Sequence, residues 1–261
     1  MFGIKTLNSL SSIGLERLDP KSFEVGDEID NPDGILLRSY DMHGADLPSN
    51  LKAIARAGAG VNNIPIDTCT KKGIVVFNTP GANANSVKEL VLAGMLLSSR
   101  KIVEGIGWAR SLSGSGADVP KLVEKGKKQF VGPEITGKTL GVIGLGAIGV
   151  LVANDAVGVG MKVIGLDPFI SIESAWGLSR EVRRAASLDE LLAQSDYITL
   201  HLPLSDKTTG YLSADQFGLV KPGVRILNFA RGGLVSNADL IKAIDKGMVA
   251  RYITDFPDDD L

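Results

Sequence analysis

The sequence predicts an α/β protein with a doubly wound parallel sheet, preceded by a smaller α/β domain. Two observations carry this. The stretch Thr139-Leu-Gly-Val-Ile-Gly-Leu-Gly-Ala-Ile-Gly149 reads as a buried strand, a glycine turn and the first turn of a helix. On either side of it, short apolar runs alternate with segments of helix length, the pattern of parallel strands joined by crossover helices. A chain of 261 residues has room for two domains, each with its own core.

Composition narrows the class. Hydrophobic residues make up 44% and charged residues 22%, values of ordinary globular proteins, so disorder and fibrous repeats are excluded. A net charge of -2 offers no basic face and speaks against a nucleic-acid partner. Cys69 is the only cysteine, which rules out an intramolecular disulfide or a cysteine zinc cluster and suits a reducing compartment. The stretch Met1-Phe-Gly-Ile-Lys-Thr-Leu-Asn8 lacks the long apolar core of a secretory signal or membrane span. The expectation is a soluble cytoplasmic protein without metal or membrane partner.

The smaller domain is expected over residues 1–85. Its strand candidates are Ile35-Leu-Leu-Arg38, Leu51-Lys-Ala-Ile-Ala-Arg56 and Gly73-Ile-Val-Val-Phe77. Ligands of open α/β sheets bind beyond the carboxyl ends of strands, which is where Arg38 and Arg56 fall. Each is either a solvated surface charge or a cation facing an anion. Gly58 and Gly60 lean toward the second reading, since they permit a tight loop whose N–H groups could receive a carboxylate or phosphate.

Asn78-Thr-Pro-Gly-Ala-Asn-Ala-Asn-Ser86 cannot continue a strand and reads as a hinge. Ser86 with Glu89 forms an expected capping box for a helix through Leu90, Met95 and Leu97. That helix is apolar on more than one face, which predicts a place between domains or at a subunit contact. Residues 111–116 read as loop, and the lysines of 121–128 as a solvated face.

The doubly wound, Rossmann-type domain is expected over residues 86–255. In Gly144-x-Gly146-x-x-Gly149 the first glycine makes the turn, the second admits a pyrophosphate and the third lets helix pack on strand. A second strand, 161–166, ends at Asp167, which stands 18 residues after Gly149. That is near the spacing of the acid that hydrogen-bonds the adenosine ribose, and an acid there favours NAD over NADP. Further strands are expected at 197–203, 224–230 and 250–255, with helices at 188–194, 214–219 and 237–246. Arg231-Gly-Gly233 follows a strand end on the edge where a nicotinamide would lie.

Arg56-Ala-Gly-Ala-Gly-Val-Asn-Asn63, Asn78-Thr-Pro80, Gly144-Leu-Gly-Ala-Ile-Gly149, Gly160-Met-Lys-Val-Ile-Gly-Leu-Asp-Pro168, His201-Leu-Pro-Leu204 and Asn228-Phe-Ala-Arg-Gly-Gly233 coincide in one chain. Together they resemble the D-isomer-specific 2-hydroxyacid dehydrogenases over essentially the whole length, and most closely the branch acting on phosphoglycerate. The resemblance implies a flavodoxin-like substrate domain, an NAD cofactor, a homodimer and oxidation of 3-phosphoglycerate to 3-phosphohydroxypyruvate, the first step of serine biosynthesis. Arg231 resembles the arginine that binds the substrate carboxylate and polarises its C2 oxygen. Ala147 and Ile148 resemble the pyrophosphate ligands, Asp167 the ribose ligand and Asp255 the carboxamide ligand. Thr79, Leu202, Pro203 and Ala230 resemble walls of the cofactor cleft. Arg38, Ser39, Arg56, Ala59, Gly60 and Val61 match substrate loops that meet phosphate or carboxylate. Substrate is expected to bind between the domains, with closure about residues 83–86 and 256–260.

Two departures qualify the resemblance. The family glutamate is replaced: the chain reads Phe256-Pro-Asp-Asp-Asp-Leu261, and counting from Asp255 places Asp260 there, with Asp259 as fallback. The family histidine, in a Pro-His-x-Gly type motif, has no counterpart, since His43 lies in a turn and His201 in a strand before Pro203. Residues 256–261 are thus expected to begin a return crossover whose remainder is missing, so this chain would bind NAD but turn over poorly. The alternatives are another D-2-hydroxyacid dehydrogenase, acting on glyoxylate/hydroxypyruvate or D-lactate, or an NAD-sensing scaffold of the corepressor type.

Overall fold

A computed structural model describes residues 1–259, which divide into two compact units, Met1–Asn83 and the chain from Ala84 onward. Among the described residues the first unit runs β1 (Phe2–Leu7), α1 (Ser12–Leu15), β2 (Phe23–Gly26), β3 (Gly34–Leu37), β4 (Ala53–Arg56), α2 (Ile66–Lys72) and β5 (Val75–Phe77). All its strand pairs are parallel, in the order β2-β1-β3-β4-β5. This is the flavodoxin-like order, with its switch point between β1 and β3. The Gly-Ile-Leu-Leu run of β3 is central and apolar on both faces, which suits a strand covered from both sides. Ile35, Leu37, Ile54, Ile64 and Cys69 form the core.

The second unit begins with α3 (Ala84–Arg100), α4 (Ile102–Ser111) and α5 (Val119–Gly126). It continues with β6 (Thr139–Ile143), α6 (Ala147–Gly158), β7 (Lys162–Leu166), α7 (Ile172–Gly177), β8 (Val182–Arg184), α8 (Leu188–Gln194) and β9 (Tyr197–Leu200). Last come α9 (Ala214–Phe217), β10 (Val224–Asn228), α10 (Asn237–Asp245) and β11 (Val249–Thr254). The strands are parallel, in the order β11-β10-β9-β6-β7-β8. Chain order therefore reverses between β6 and β9, the crevice where doubly wound sheets bind dinucleotides. One core cluster includes Leu191, Ile198, Ile226 and Leu240, and a second includes Val91, Met95, Val142 and Val152. All four residues of β9 are buried, as a strand covered on both faces requires.

Two local expectations are corrected. Helix α3 starts at Ala84, so Ser86 lies inside it rather than capping it, and Glu89 accepts a 2.7 Å bond from Asn85 Nδ2. Within the helix, Val91 and Met95 are buried in the core. The stretch after α3 holds more regular structure than its composition suggests. Helices α4 and α5 flank the glycine-serine turn, and Trp108 packs on Phe130 with ring centroids 5.1 Å apart. Among the described residues neither helix buries a side chain, so no apolar stripe of either packs into a core.

Candidate functional site

The carboxyl edge of the large sheet gathers loops from β6, β7, β9, β10 and β11. After β6, Gly144 turns the chain with φ 92°, a left-handed conformation favouring glycine. A Cβ there would stand 2.5 Å from the His201 carbonyl oxygen. At Gly149 a Cβ would collide with the Gly144 carbonyl, so helix α6 can lie this close to β6 only without a side chain. Gly146, by contrast, faces open space at the start of α6. The amides of a helix N-terminus point into that space and favour an anion. Ala147 is exposed and Ile148 half-buried in the first turn of α6.

Asp167 stands one residue past β7. Its Oδ2 accepts the Leu145 amide at 2.8 Å and its Oδ1 the Phe169 amide at 2.8 Å. The carboxylate thus braces the glycine turn from the neighbouring strand, and each oxygen keeps a second lone pair for a hydroxyl. The Leu145 side chain is buried against Gly165 of β7.

The β9 loop places Leu202 against the glycine turn, with Pro203 exposed after it. His201 sits one residue beyond β9 rather than within it, its amide donating to Ile143 O at 2.8 Å. Its Nε2 lies 3.0 Å from Thr199 Oγ1. Burial of the ring pushes its pKa down to about 4, so the imidazole is neutral near pH 7.

Beyond β10, Ala230 and Arg231 form a turn built on Asn228. The Asn228 Oδ1 accepts the amides of Ala230 (3.2 Å) and Arg231 (3.3 Å), while Nδ2 donates to Arg231 O (2.8 Å) and to Tyr252 OH (3.0 Å). The half-buried Arg231 donates from Nη1 to Ala230 O at 2.6 Å. Asp255 is exposed on the bend after β11. Asp260 lies outside the described residues.

The small sheet has its own loop cluster. Arg56 Nε donates to Arg38 O at 2.8 Å, and its Nη1 to Gly60 O. Asn63 Nδ2 donates to Tyr40 O at 2.7 Å, and Asn78 Nδ2 to Ala59 O at 2.7 Å. Asn8 Oδ1 accepts the Ser39 amide at 3.1 Å, and the Thr79 amide donates to Gly58 O at 3.0 Å. Arg38, Ser39, Arg56, Ala59 and Gly60 are thereby brought together, with Val61 half-buried beside them and the Arg38 side chain exposed. Arg56 also has a loop-holding part that strand-end position alone did not suggest. Sequence reasoning does not single out Asn8, Asn63 or Asn228. The available signals were Asn63 at the end of the Arg56 run and Asn228 at the head of the Asn-Phe-Ala-Arg-Gly-Gly run.

Fold and glycine turn together define a dinucleotide-binding domain of the doubly wound class. The family model described as D-isomer specific 2-hydroxyacid dehydrogenase, NAD binding domain, matches residues 92–260, and the chain belongs to this family. NAD is therefore the cofactor of the second unit.

The chain is 40% identical over 234 residues to a D-3-phosphoglycerate dehydrogenase of Archaeoglobus fulgidus, covering 87% of this chain and 41% of that protein. To the Homo sapiens D-3-phosphoglycerate dehydrogenase it is 35% identical over 241 residues, 90% of this chain and 42% of that one. It thus spans about two fifths of these curated relatives. Among solved structures it resembles NAD+-bound 3-phosphoglycerate dehydrogenase of Entamoeba histolytica, with TM-score 0.74, 27% identity, and coverage of 99% and 81% of the two chains. It also resembles the holo form of Rhodotorula graminis D-mandelate dehydrogenase, with TM-score 0.82, 25% identity, and coverage of 100% and 84%. No helix of the described residues is long and apolar enough to cross a membrane.

Proposed function

We propose that the protein oxidises 3-phosphoglycerate to 3-phosphohydroxypyruvate with NAD. The observation that carries this is the Arg231 turn, built on the same sheet edge as the glycine turn and two strands from it. NAD, when bound, supplies the hydride acceptor. The start of α6 at Ala147 and Ile148 would hold its pyrophosphate, Asp167 its ribose and Asp255 its carboxamide. Leu202, Pro203 and Ala230 would wall the cleft. Arg231 would grip the substrate carboxylate with its planar fork and favour charge on the C2 oxygen. Arg38, Ser39, Arg56 and the backbone of Ala59, Gly60 and Val61 would offer an anion site of the first unit, and Asp260 would orient the proton acceptor. His201 is no candidate for that acceptor, because burial disfavours its protonated form.

The test is a pair of titrations by calorimetry. The protein should bind NAD well in preference to NADP. In its NADH complex, Arg231→Ala should weaken 3-phosphohydroxypyruvate on the order of 10- to 100-fold while NAD affinity holds. Absence of NAD binding, or unchanged keto-acid affinity in the variant, overturns the reading.

A homodimer and a cytoplasmic setting belong to the same proposal. Supporting the dimer, α4 exposes Ile102, Val103 and Ile106, a set of apolar side chains such as association surfaces use. Val103→Glu with Ile106→Glu should shift the sedimentation mass to that of a monomer, and an unchanged mass would remove α4 from the contact.

A further inference from the structure

Asn228 is fully buried and, among the described residues, uses both lone pairs and both N–H groups. Three of those bonds hold the turn that presents Arg231. The fourth runs to Tyr252, on the neighbouring strand β11 in register with Ile226. Burial raises the Tyr252 pKa, opposed by hydrogen bonding to Asn228 and Thr254. Thr254 in turn accepts the Phe256 amide at 3.1 Å, fixing the bend that contains Asp255. Phe256 packs over Gly232, where a Cβ would stand 3.3 Å from the phenylalanine Cβ, and Asn237 Nδ2 donates to Asp258. The Arg231 turn is therefore tied to β11 by the Asn228–Tyr252 bond, and two flanking contacts reach the segment around the Asp255 bend.

We infer that Asn228 and Tyr252 are positioning residues that lock the substrate-gripping arginine in register with the bend meeting the cofactor. This rests on the proposed part of Arg231 and deepens it. An amide suits this position because it offers two acceptors to the turn amides and two donors in one plane, a set that no hydroxyl or carboxylate supplies. The Tyr252 ring carries an acceptor across to β10 while its body stays against the core.

The test uses Tyr252→Phe, which deletes one hydroxyl and keeps the ring, and Asn228→Ala as a harsher variant that could fail to fold. Hydrogen exchange is read at the Ala230, Arg231 and Phe256 amides, with the Gly146 to Gly149 amides as internal reference. In Tyr252→Phe the first three should exchange about tenfold faster while the reference amides and the melting temperature hold within a degree or two. Oxalate, as a minimal dicarboxylate probe, should bind the NADH complex about tenfold more weakly, with NADH affinity unchanged. Unaltered exchange at Ala230 and Arg231 overturns the network. An exchange change accompanied by unchanged oxalate affinity overturns its functional part. If the unsubstituted protein with NADH ignores oxalate, the Arg231 reading has failed, while the exchange data still decide whether the two turns are coupled.

Discussion

At the carboxyl edge of the large sheet the glycine turn is shaped first by backbone meeting backbone, with one side-chain brace from Asp167, whereas at the edge of the small sheet the loops are held mainly by long-range side chains. Gly144 abuts the His201 carbonyl and Gly149 abuts Gly144. In the first unit, Arg56, Asn63, Asn78 and Asn8 reach across 18 to 31 residues of sequence to bind loop carbonyls and an amide. A turn made by close approach tolerates almost no added atom. A loop tied by side chains loses one bond at a time. The first edge should therefore fail abruptly on substitution and the second by degrees.

The largest effect is expected at Gly149. Its replacement by Ala forces α6 away from β6, which should destabilise the second unit by about 3 kcal/mol or more and abolish NAD binding. Chemical denaturation followed with a nucleotide titration checks this, and a near-native variant would break the contrast between the edges.

His201 comes next. The unfolded imidazole protonates near pH 6.5 and the folded one only at about 4, so between these values the unfolded state holds more protons. Stability should be complete above pH 6.5 and fall by about 2–3 kcal/mol as pH drops toward 4. The His201→Gln protein should show a flatter melting-temperature profile across that window, and an equally steep one would place the titration elsewhere.

In the small sheet, Arg56→Met keeps the aliphatic stem and removes the donors to Arg38 O and Gly60 O. A loss of about 2 kcal/mol is expected, together with faster exchange of the amides of 57–61. Asn78→Ala removes a single bond to an exposed loop and should cost about 0.5 kcal/mol, with exchange rising only near Ala59. If Arg56→Met matched Gly149→Ala in severity, the small edge would be as brittle as the large one.

Legibility followed the same division. The glycine spacing, the strand of Thr139–Ile143 and the acid at 167 lie within thirty residues of one another, so a local pattern encodes that site. Helix Leu188–Gln194 was equally readable, because its apolar spacing is local and Ser187 accepts the Glu190 amide as an N-cap. The start of α3 was misread because Ser86 and Glu89 fit a capping box as well as they fit a helix interior. Helices α4 and α5 left no core stripe to read, since among the described residues they bury nothing.

From its residues alone this chain determined two parallel α/β units, a glycine turn between strand and helix and an arginine at a strand end, because strand periodicity and glycine sterics act over a few residues. The tertiary structure decided that Asp167 braces Leu145, that Arg56 ties two loops and that Asn228 joins the Arg231 turn to Tyr252. Each of these is a hydrogen bond between groups that sequence spacing leaves unrelated. Only the packing of neighbouring strands brings them within 3 Å.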